Sequence, residues 1–127
     1  ACWGVSKLAN TPALFERAKQ INADVIFDED LQERHIENLI VRLDSLIDQA
    51  DDIYLTIDMD VFPASVVPGV SAPAAFGVPL SVVEALALRV IKSGKMRLAD
   101  IAELNPHFDI DQHSARVAAR LVWKMLG

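Results

Sequence analysis

Short apolar runs alternate along this chain with longer segments that have helical periodicity. The apolar runs are short enough for strands and cover positions 1–5, 23–27, 53–58 and 96–104. Segments with apolar residues at helical spacing cover positions 12–21, 36–47, 81–93 and 112–126. Strands and helices in alternation, joined by short links, form a parallel sheet flanked by helices. We therefore predict an α/β fold whose crossovers are right-handed.

Boundary signals predict where two of the helices begin. Thr11 followed by Pro12 is typical of a helix N-terminus, with Thr11 as the N-cap and the proline in the first turn. Ser81 and Glu84 have the spacing of a capping box, which predicts a helix start at Ser81. Gly94 is then the expected cap at the C-terminal end of that helix.

Two aspartates close the third predicted strand. The run Ile53–Leu55 is continuously apolar, as in a strand covered by helices on both faces, and it leads into Thr56–Asp60, Thr-Ile-Asp-Met-Asp. Because strand residues alternate faces, we expect Asp58 and Asp60 to point the same way. Adjacent carboxylates repel each other and lose solvation, which favours a divalent cation beside them. The alternative is that both carboxylates cap the following loop or the next helix.

A third carboxylate, Glu103, lies at the end of the fourth predicted strand. Ligands of parallel sheets bind at the carboxyl ends of the strands, so Asp58, Asp60 and Glu103 can converge on one crevice. The long loop 61–79 that follows the aspartates supports a functional site there. In that crevice Glu103 could bind an amidinium or guanidinium group in a bidentate fork. Alternatively, Glu103 caps the turn before Pro106 or pairs with Arg97 or another surface base.

Composition and charge exclude several classes of protein. A length of 127 residues suits one domain with a real core. The net charge of −6 argues against a nucleic-acid partner, and no apolar run is long enough to cross a membrane. Within these residues, no basic segment followed by an apolar core marks a secretion signal. Cys2, the sole cysteine, is predicted to be a small core residue, and with no internal disulfide a cytoplasmic location is expected.

Two motifs in register carry a family resemblance. The first runs from Thr56 to Pro63 and continues through Val67–Pro73, with Asp-x-Asp followed by Pro-Gly and a second proline. The second is Glu103–Pro106, Glu-Leu-Asn-Pro. Together they resemble the signature of the ureohydrolases, the family of arginase, agmatinase and formimidoylglutamase. Pro63–Ala64 replaces the Asp-Pro of arginase-like members, and Gly-Val-Ser-Ala-Pro at Gly69–Pro73 is similar to the formimidoylglutamase branch.

The resemblance implies a fold, a cofactor and a reaction. The fold is the arginase-like three-layer α-β-α fold with a parallel sheet, of which residues 1–127 would be a single domain forming the C-terminal part. The cofactor is a pair of Mn²⁺ ions with Asp58 and Asp60 as ligands, and a hydroxide formed from a bridging water would attack the formimidoyl carbon of N-formimidoyl-L-glutamate. Glu103 would bind the cationic nitrogen side of this substrate. The products are L-glutamate and formamide, a step of histidine degradation.

The same resemblance shows what this chain lacks. The family's other metal ligands, a histidine and an Asp-x-His-x-Asp cluster, have no counterpart in the sequence. The strand character of Ala1–Val5, with no polar lead-in, also indicates the C-terminal portion of a longer protein. We therefore expect the missing N-terminal portion to be a partner, and the chain alone to bind manganese weakly and to have little activity. A homo-oligomer is left open. Candidates for contacting the glutamate end of the substrate are Ser6, Asn10, Thr11 and the loop around Ser71.

Three other interpretations compete with this one. Another ureohydrolase, of agmatinase or arginase type, would use the same carboxylates. A phosphatase of the haloacid dehalogenase type also has Asp-x-Asp after an apolar strand, but its motif requires Thr or Val two positions after the second Asp, where this chain has Phe62. Finally, the chain could be a folded, non-catalytic remnant that retains part of the site.

Overall fold

The computed structural model describes all residues 1–127 and has the predicted alternation of strands and helices. The strands are β1 (Cys2–Val5), β2 (Val25–Phe27), β3 (Ile53–Asp58) and β4 (Met96–Ala102). The helices are α1 (Pro12–Gln20), α2 (Ile36–Asp48), α3 (Leu80–Lys92) and α4 (His113–Leu126). Short 3-10 turns cover Glu33–His35 and Met59–Val61. None of the helices combines the length and hydropathy that crossing a bilayer requires.

The four strands form two parallel pairs. β1 pairs with β2, and β3 pairs with β4, where Ile57 lies opposite Ile101. No backbone ladder joins one pair to the other. The predicted parallel pairing is therefore present, but β1 and β3 each have one edge without a partner strand.

Three helices cover one face of the strand pairs. The larger hydrophobic cluster joins β3, α3, α4 and the loop after β3, and its buried members are Ile57, Met59, Phe62, Val67, Val70, Ala87, Ala118 and Leu121. A smaller cluster joins β2, α2 and α3 through Ile26, Leu31, Leu39, Val78 and Val82. Burial of these apolar side chains is the main term that stabilises the packing of the helices on the strands.

The opposite face of β3 and β4 is uncovered. Tyr54 and Leu98 are both 59% exposed there, while Ile57 on the other face is buried. Within this chain, helices cover only the inner face of β3, so the expectation of helices on both faces of that strand is not met by residues 1–127. Helix α1 packs against β2, where the rings of Phe15 and Phe27 meet at 5.9 Å. Cys2 is also exposed, which corrects its prediction as a core residue.

Two of the predicted helix ends are confirmed and one is wrong. Thr11 is the N-cap of α1, and Gly94, with φ +71°, follows the end of α3. The capping box at Ser81 does not form, because Pro79 takes the N-cap position in an extended conformation and α3 already begins at Leu80. Instead, the Ser81 hydroxyl donates a hydrogen bond to Glu33.

Candidate metal centre

A cleft lies where β1 and β3 end. It encloses about 570 Å³, and its wall is formed by β1 with Ser6 and Asn10 after it, by Asp58 at the end of β3 with Asp60 just beyond, and by the loop segment 72–75. We call it the carboxylate cleft. Among the predicted glutamate-end candidates, Ser6, Asn10 and residues 72–75 of the loop around Ser71 line the cleft with the two aspartates, whereas Thr11 and Ser71 itself do not.

The two aspartates reach the cleft by a different route from the one predicted. β3 ends at Asp58, and Asp60 lies in the 3-10 turn Met59–Val61. The Asp58 Oδ1 caps this turn by accepting a hydrogen bond from the Asp60 N–H at 2.9 Å. The prediction that strand alternation points both side chains the same way is therefore wrong. Both carboxylates line the cleft because Asp58 caps the 3-10 turn that contains Asp60. The alternative prediction, that the aspartates cap the following segment, holds for the Oδ1 of Asp58.

Asp60 holds a buried oxygen atom without a partner. Its Oδ1 is buried and makes no hydrogen bond. Partial burial raises the pKa of Asp60, and the neighbouring charges of Asp58 and Glu103 raise it further, against a lowering by the Ala72 N–H. A buried carboxylate oxygen without a partner is costly, and a hard divalent cation is a group that satisfies it. These carboxylates thus fit part of a cation site.

Glu103 lies just beyond β4 in an unusual backbone conformation. The strand ends at Ala102, one residue earlier than Glu103, which is exposed and has φ +66°. A left-handed conformation at a non-glycine residue costs about 1 kcal/mol or more, and such strain is concentrated at functional sites. Its charge raises the pKa of Asp60, but Glu103 does not line the carboxylate cleft, so the structure brings together Asp58 and Asp60 and places Glu103 outside their cleft.

The structural alternatives for Glu103 do not occur. Arg97 donates to Asp52 at 2.8 Å rather than to Glu103. The following turn is capped by Asn105, whose Oδ1 accepts from the His107 N–H at 3.0 Å. The Glu103 carboxylate is thereby left available to a ligand.

The histidines add nothing to the cleft. The ring of His35 contacts the Asp30 carbonyl at 2.8 Å, and His107 and His113 are exposed elsewhere. No group of three or more His, Cys, Asp or Glu side chains in the chain is arranged to hold a metal ion. The carboxylate cleft is therefore an incomplete ligand set.

A buried connection that sequence analysis missed ties the long loop to the segment after β4. The Gly69 N–H donates to the Ser114 Oγ at 2.7 Å, and the Gly69 carbonyl accepts from the Asn105 N–H at 2.7 Å. A side chain at Gly69 has no room, since a Cβ there would lie 2.8 Å from the Cβ of Asp109. The loop after Asp60 and the segment after Glu103 are therefore held to each other through Gly69.

Asp109 anchors this connection to α4. Its carboxylate accepts hydrogen bonds from the N–H groups of Ile110, Ser114 and Ala115 at 2.9, 2.8 and 3.0 Å. Desolvation alone would raise the pKa of Asp109, but the bonds from Ser114, Ala115 and Ile110 outweigh it and lower the pKa to about 2. An Asp shortly before a predicted helix is a known capping signal, so the sequence contained a clue to this role.

The fold has counterparts among proteins of known structure. A profile of the Arginase family matches residues 1–127. The chain superimposes on an arginase from Bacillus caldovelox with a TM-score of 0.87 over 98% of this chain and 42% of that one, at 19% identity. With a formimidoylglutamase from Bacillus subtilis, the TM-score is 0.89 over 98% and 39% of the two chains, at 23% identity. The chain therefore belongs to the arginase family, and the α/β fold class predicted from the sequence is confirmed.

Sequence relatives place the chain within that family. It is 56% identical over 126 residues to a formimidoylglutamase from Cupriavidus pinatubonensis, covering 99% of this chain and 40% of that protein. It is 54% identical over 125 residues to one from Aeromonas salmonicida, covering 98% and 40%. The chain thus spans about 40% of the length of the curated relatives it matches. A formiminoglutamase from Trypanosoma cruzi, solved with Mn²⁺, has a TM-score of 0.78 at 19% identity.

Proposed function

We propose that the complete protein hydrolyses N-formimidoyl-L-glutamate to L-glutamate and formamide, with manganese as cofactor, as a step of histidine degradation. The observation that carries this proposal is the 56% identity to a formimidoylglutamase across nearly the whole chain. Membership in the arginase family favours this reaction over the phosphatase alternative. The cation site is supported by the unsatisfied Asp60 Oδ1 in the carboxylate cleft.

Asp58 and Asp60 would hold the metal. Carboxylate oxygens are ligands that Mn²⁺ accepts readily, and the burial of Asp60 Oδ1 leaves it without a competing partner. When bound, manganese supplies Lewis acidity and an activated water for hydrolysis at neutral pH. The two carboxylates would also neutralise the ions and fix their place at the end of β3.

Glu103 would bind the substrate's formimidoyl group. This group is an amidinium cation, and a carboxylate can accept both of its N–H donors in a bidentate fork. The exposed side chain of Glu103, free of any arginine partner, suits that role. Binding there would orient the trigonal carbon for attack. In the carboxylate cleft, Ser6 and Asn10 offer hydrogen-bonding groups for the glutamate end.

The division of the protein is part of the same proposal. Residues 1–127 would form one domain portion at the C-terminal side of a larger arginase-like domain, with the remaining metal ligands in the polypeptide that precedes it in the relatives. The partner is then this N-terminal portion, and the sole cysteine suits a cytoplasmic enzyme.

The test uses one polypeptide, which we call the chimera. In the chimera this chain follows the part of the C. pinatubonensis relative that it does not match. With Mn²⁺ we expect release of formamide from N-formimidoyl-L-glutamate and none of urea from arginine or agmatine. Asp60→Asn should abolish the reaction, while Asp51→Asn, at an exposed position, should leave it intact. Urea as the main product would instead indicate an arginase or agmatinase, and a folded but inert chimera would contradict catalysis.

Glu103→Gln separates substrate binding from metal binding. We expect kcat/KM for N-formimidoyl-L-glutamate to fall by at least about ten-fold because the charge that faces the amidinium is lost. Manganese affinity should change little. Glu37→Gln, on the exposed side of α2, is the matched control. An unchanged kcat/KM in the Glu103 variant would remove this residue from the site.

A further inference from the structure

The glutamate end of the proposed substrate is anionic, whereas the charged side chains that line the carboxylate cleft are acidic. N-formimidoyl-L-glutamate has an α-carboxylate and a γ-carboxylate in addition to its amidinium. The cleft offers Asp58 and Asp60, which would hold metal, and the neutral groups of Ser6 and Asn10. A carboxylate that leaves water needs a cation or strong hydrogen-bond donors. A basic side chain beside the cleft would meet this need.

Lys7 is the one basic residue in the segments that contribute to the wall of the cleft. These segments are 2–10, 58–61 and 72–75. The residues on either side of Lys7, Ser6 and Leu8, both line the cleft. The side chain of Asn10 donates to the carbonyl of Ser6 at 2.8 Å and so closes the turn that carries Lys7. The backbone of Lys7 is thus fixed at the rim of the cleft, while its long side chain can reorient.

The ammonium of Lys7 is paired with a group that a ligand can replace. Its Nζ donates to the Glu29 Oε2 at 3.0 Å, and the two side chains are 50% and 61% exposed. The Nζ also lies 4.6 Å from the centre of the Phe27 ring. Exposed pairs contribute little to stability because water solvates both charges. The hydrogen bond to Glu29 and the charge of Glu29 raise the pKa of Lys7, so the ammonium stays charged at neutral pH.

The place of the ammonium decides which carboxylate it can reach. Glu29 follows β2, which pairs with β1 and does not line the cleft, so the ammonium lies on the side of β1 farther from Asp58. The α-carboxylate is attached to the carbon that carries the formimidoyl nitrogen and therefore stays near the metal ligands. The γ-carboxylate lies at the far end of the substrate's side chain. On the basis of the function proposed above, we propose that Lys7 exchanges Glu29 for the γ-carboxylate of the substrate and thereby makes the site specific for an anionic side chain.

The test varies the charge on the enzyme together with the charge on the substrate. In the chimera with Mn²⁺, Lys7→Met should lower kcat/KM for N-formimidoyl-L-glutamate about ten-fold, mainly through KM. For N-formimidoyl-L-glutamine, whose γ-amide is uncharged, the same variant should have no effect. Lys7→Arg should retain most of the activity on the glutamate substrate. Equal losses on both substrates, or no loss on either, would overturn the proposal.

Two further variants separate substrate binding from a structural role. Glu29→Gln removes the competing carboxylate, so it should not raise KM. If Lys7 served only to anchor its turn to the end of β2, Glu29→Gln would raise KM as Lys7→Met does, and that result overturns the proposal. Lys19→Met is the matched control, because Lys19 forms the same kind of exposed pair on α1, with Glu16 at 2.7 Å. It should leave kcat and KM unchanged.

Binding of L-glutamate, the proposed product, tests Lys7 without catalysis. In isothermal titration calorimetry of the chimera, Lys7→Met should raise the Kd for L-glutamate about ten-fold and leave the weaker Kd for L-glutamine unchanged. A chimera that binds L-glutamate through Lys7 but releases no formamide would contradict the proposed hydrolysis and support the role of Lys7. An active chimera in which Lys7→Met changes neither KM nor the Kd for L-glutamate would overturn the role of Lys7 alone.

Discussion

At the scale of single residues, charge is concentrated in the carboxylate cleft. Asp60 combines a buried, unpartnered Oδ1 with two neighbouring carboxylates, Asp58 and Glu103. Such an arrangement opposes folding in the absence of a counter-ion, because the charges repel and one oxygen is poorly solvated. Natural proteins retain this kind of conflict where it serves binding.

Removing the charge of Asp60 should therefore stabilise the metal-free chain. We expect Asp60→Asn to raise the free energy of unfolding by up to about 1 kcal/mol, because the repulsion from Asp58 and Glu103 is relieved. Urea denaturation in the presence of a chelator measures this, with Asp51→Asn as the control. A loss of stability in the Asp60 variant would mean that its carboxylate has a structural partner.

A second residue-scale prediction concerns the buried serine of α4. Ser114 is 0% exposed and accepts from the Gly69 N–H, so Ser114→Ala leaves a buried donor without a partner. We expect a loss of about 1–3 kcal/mol in urea denaturation. Ser81→Ala is the matched control: Ser81 is exposed and caps nothing, so its loss should stay within about 0.5 kcal/mol. A loss in Ser114→Ala no larger than in Ser81→Ala would mean that the bond from the Gly69 N–H to Ser114 contributes little to stability.

At the scale of elements, side chains outside a helix can fix where it begins, which hydrophobic periodicity does not predict. α4 begins at His113 after Gln112 in a left-handed conformation, and Gln112 contributes no side-chain cap. Asp109 performs that function from four positions before the helix, and it also lies against Gly69 in the long loop. One carboxylate thus anchors both the start of α4 and the loop that follows the aspartates.

The capping role of Asp109 predicts a pH dependence. Its pKa in the folded chain is about 2, below the ordinary value of 3.8, so the unfolded chain binds more protons between these values. The stability that Asp109 contributes is therefore complete above about pH 4 and is lost as the pH falls toward 2. Thermal unfolding followed between pH 5 and pH 2 measures it. In Asp109→Asn this part of the pH dependence should disappear; an identical profile in the variant would assign it to other carboxylates.

At the scale of the whole molecule, two features lack a packing partner within this chain. The uncovered face of the strands exposes Tyr54 and Leu98, and each of the strands β1 and β3 has one edge without a partner strand. The chain spans about 40% of the length of a curated relative. The same shortfall applies to the metal ligands, since the cleft contains carboxylates but no histidine.

Manganese titration tests whether the metal ligands of this chain are incomplete. We expect the chain alone to bind Mn²⁺ with a Kd of about 0.1 mM or weaker, because a few carboxylates leave most of the coordination shell to water. Isothermal titration calorimetry should show much tighter binding by the chimera and none by its Asp60→Asn variant. Two tight sites on the isolated chain would contradict an incomplete ligand set.

The sequence by itself determined the order of strands and helices and the carboxylates that follow the strands. Hydrophobic periodicity and strand-ending residues are local properties, so the positions of β3, α2 and Asp58 could be predicted directly. The motifs at Thr56–Pro63 and Glu103–Pro106 also identified the family, which the comparisons confirm.

Only the tertiary structure decided how these residues meet. The bonds from Gly69 to Asn105 and Ser114 join positions far apart in the chain, and no local pattern encodes such contacts. The 3-10 turn replaced strand alternation at Asp60 because Asp58 caps it. The two strand pairs are not joined by backbone hydrogen bonds, because such bonds require an adjacent strand and no strand of this chain lies between β1 and β3.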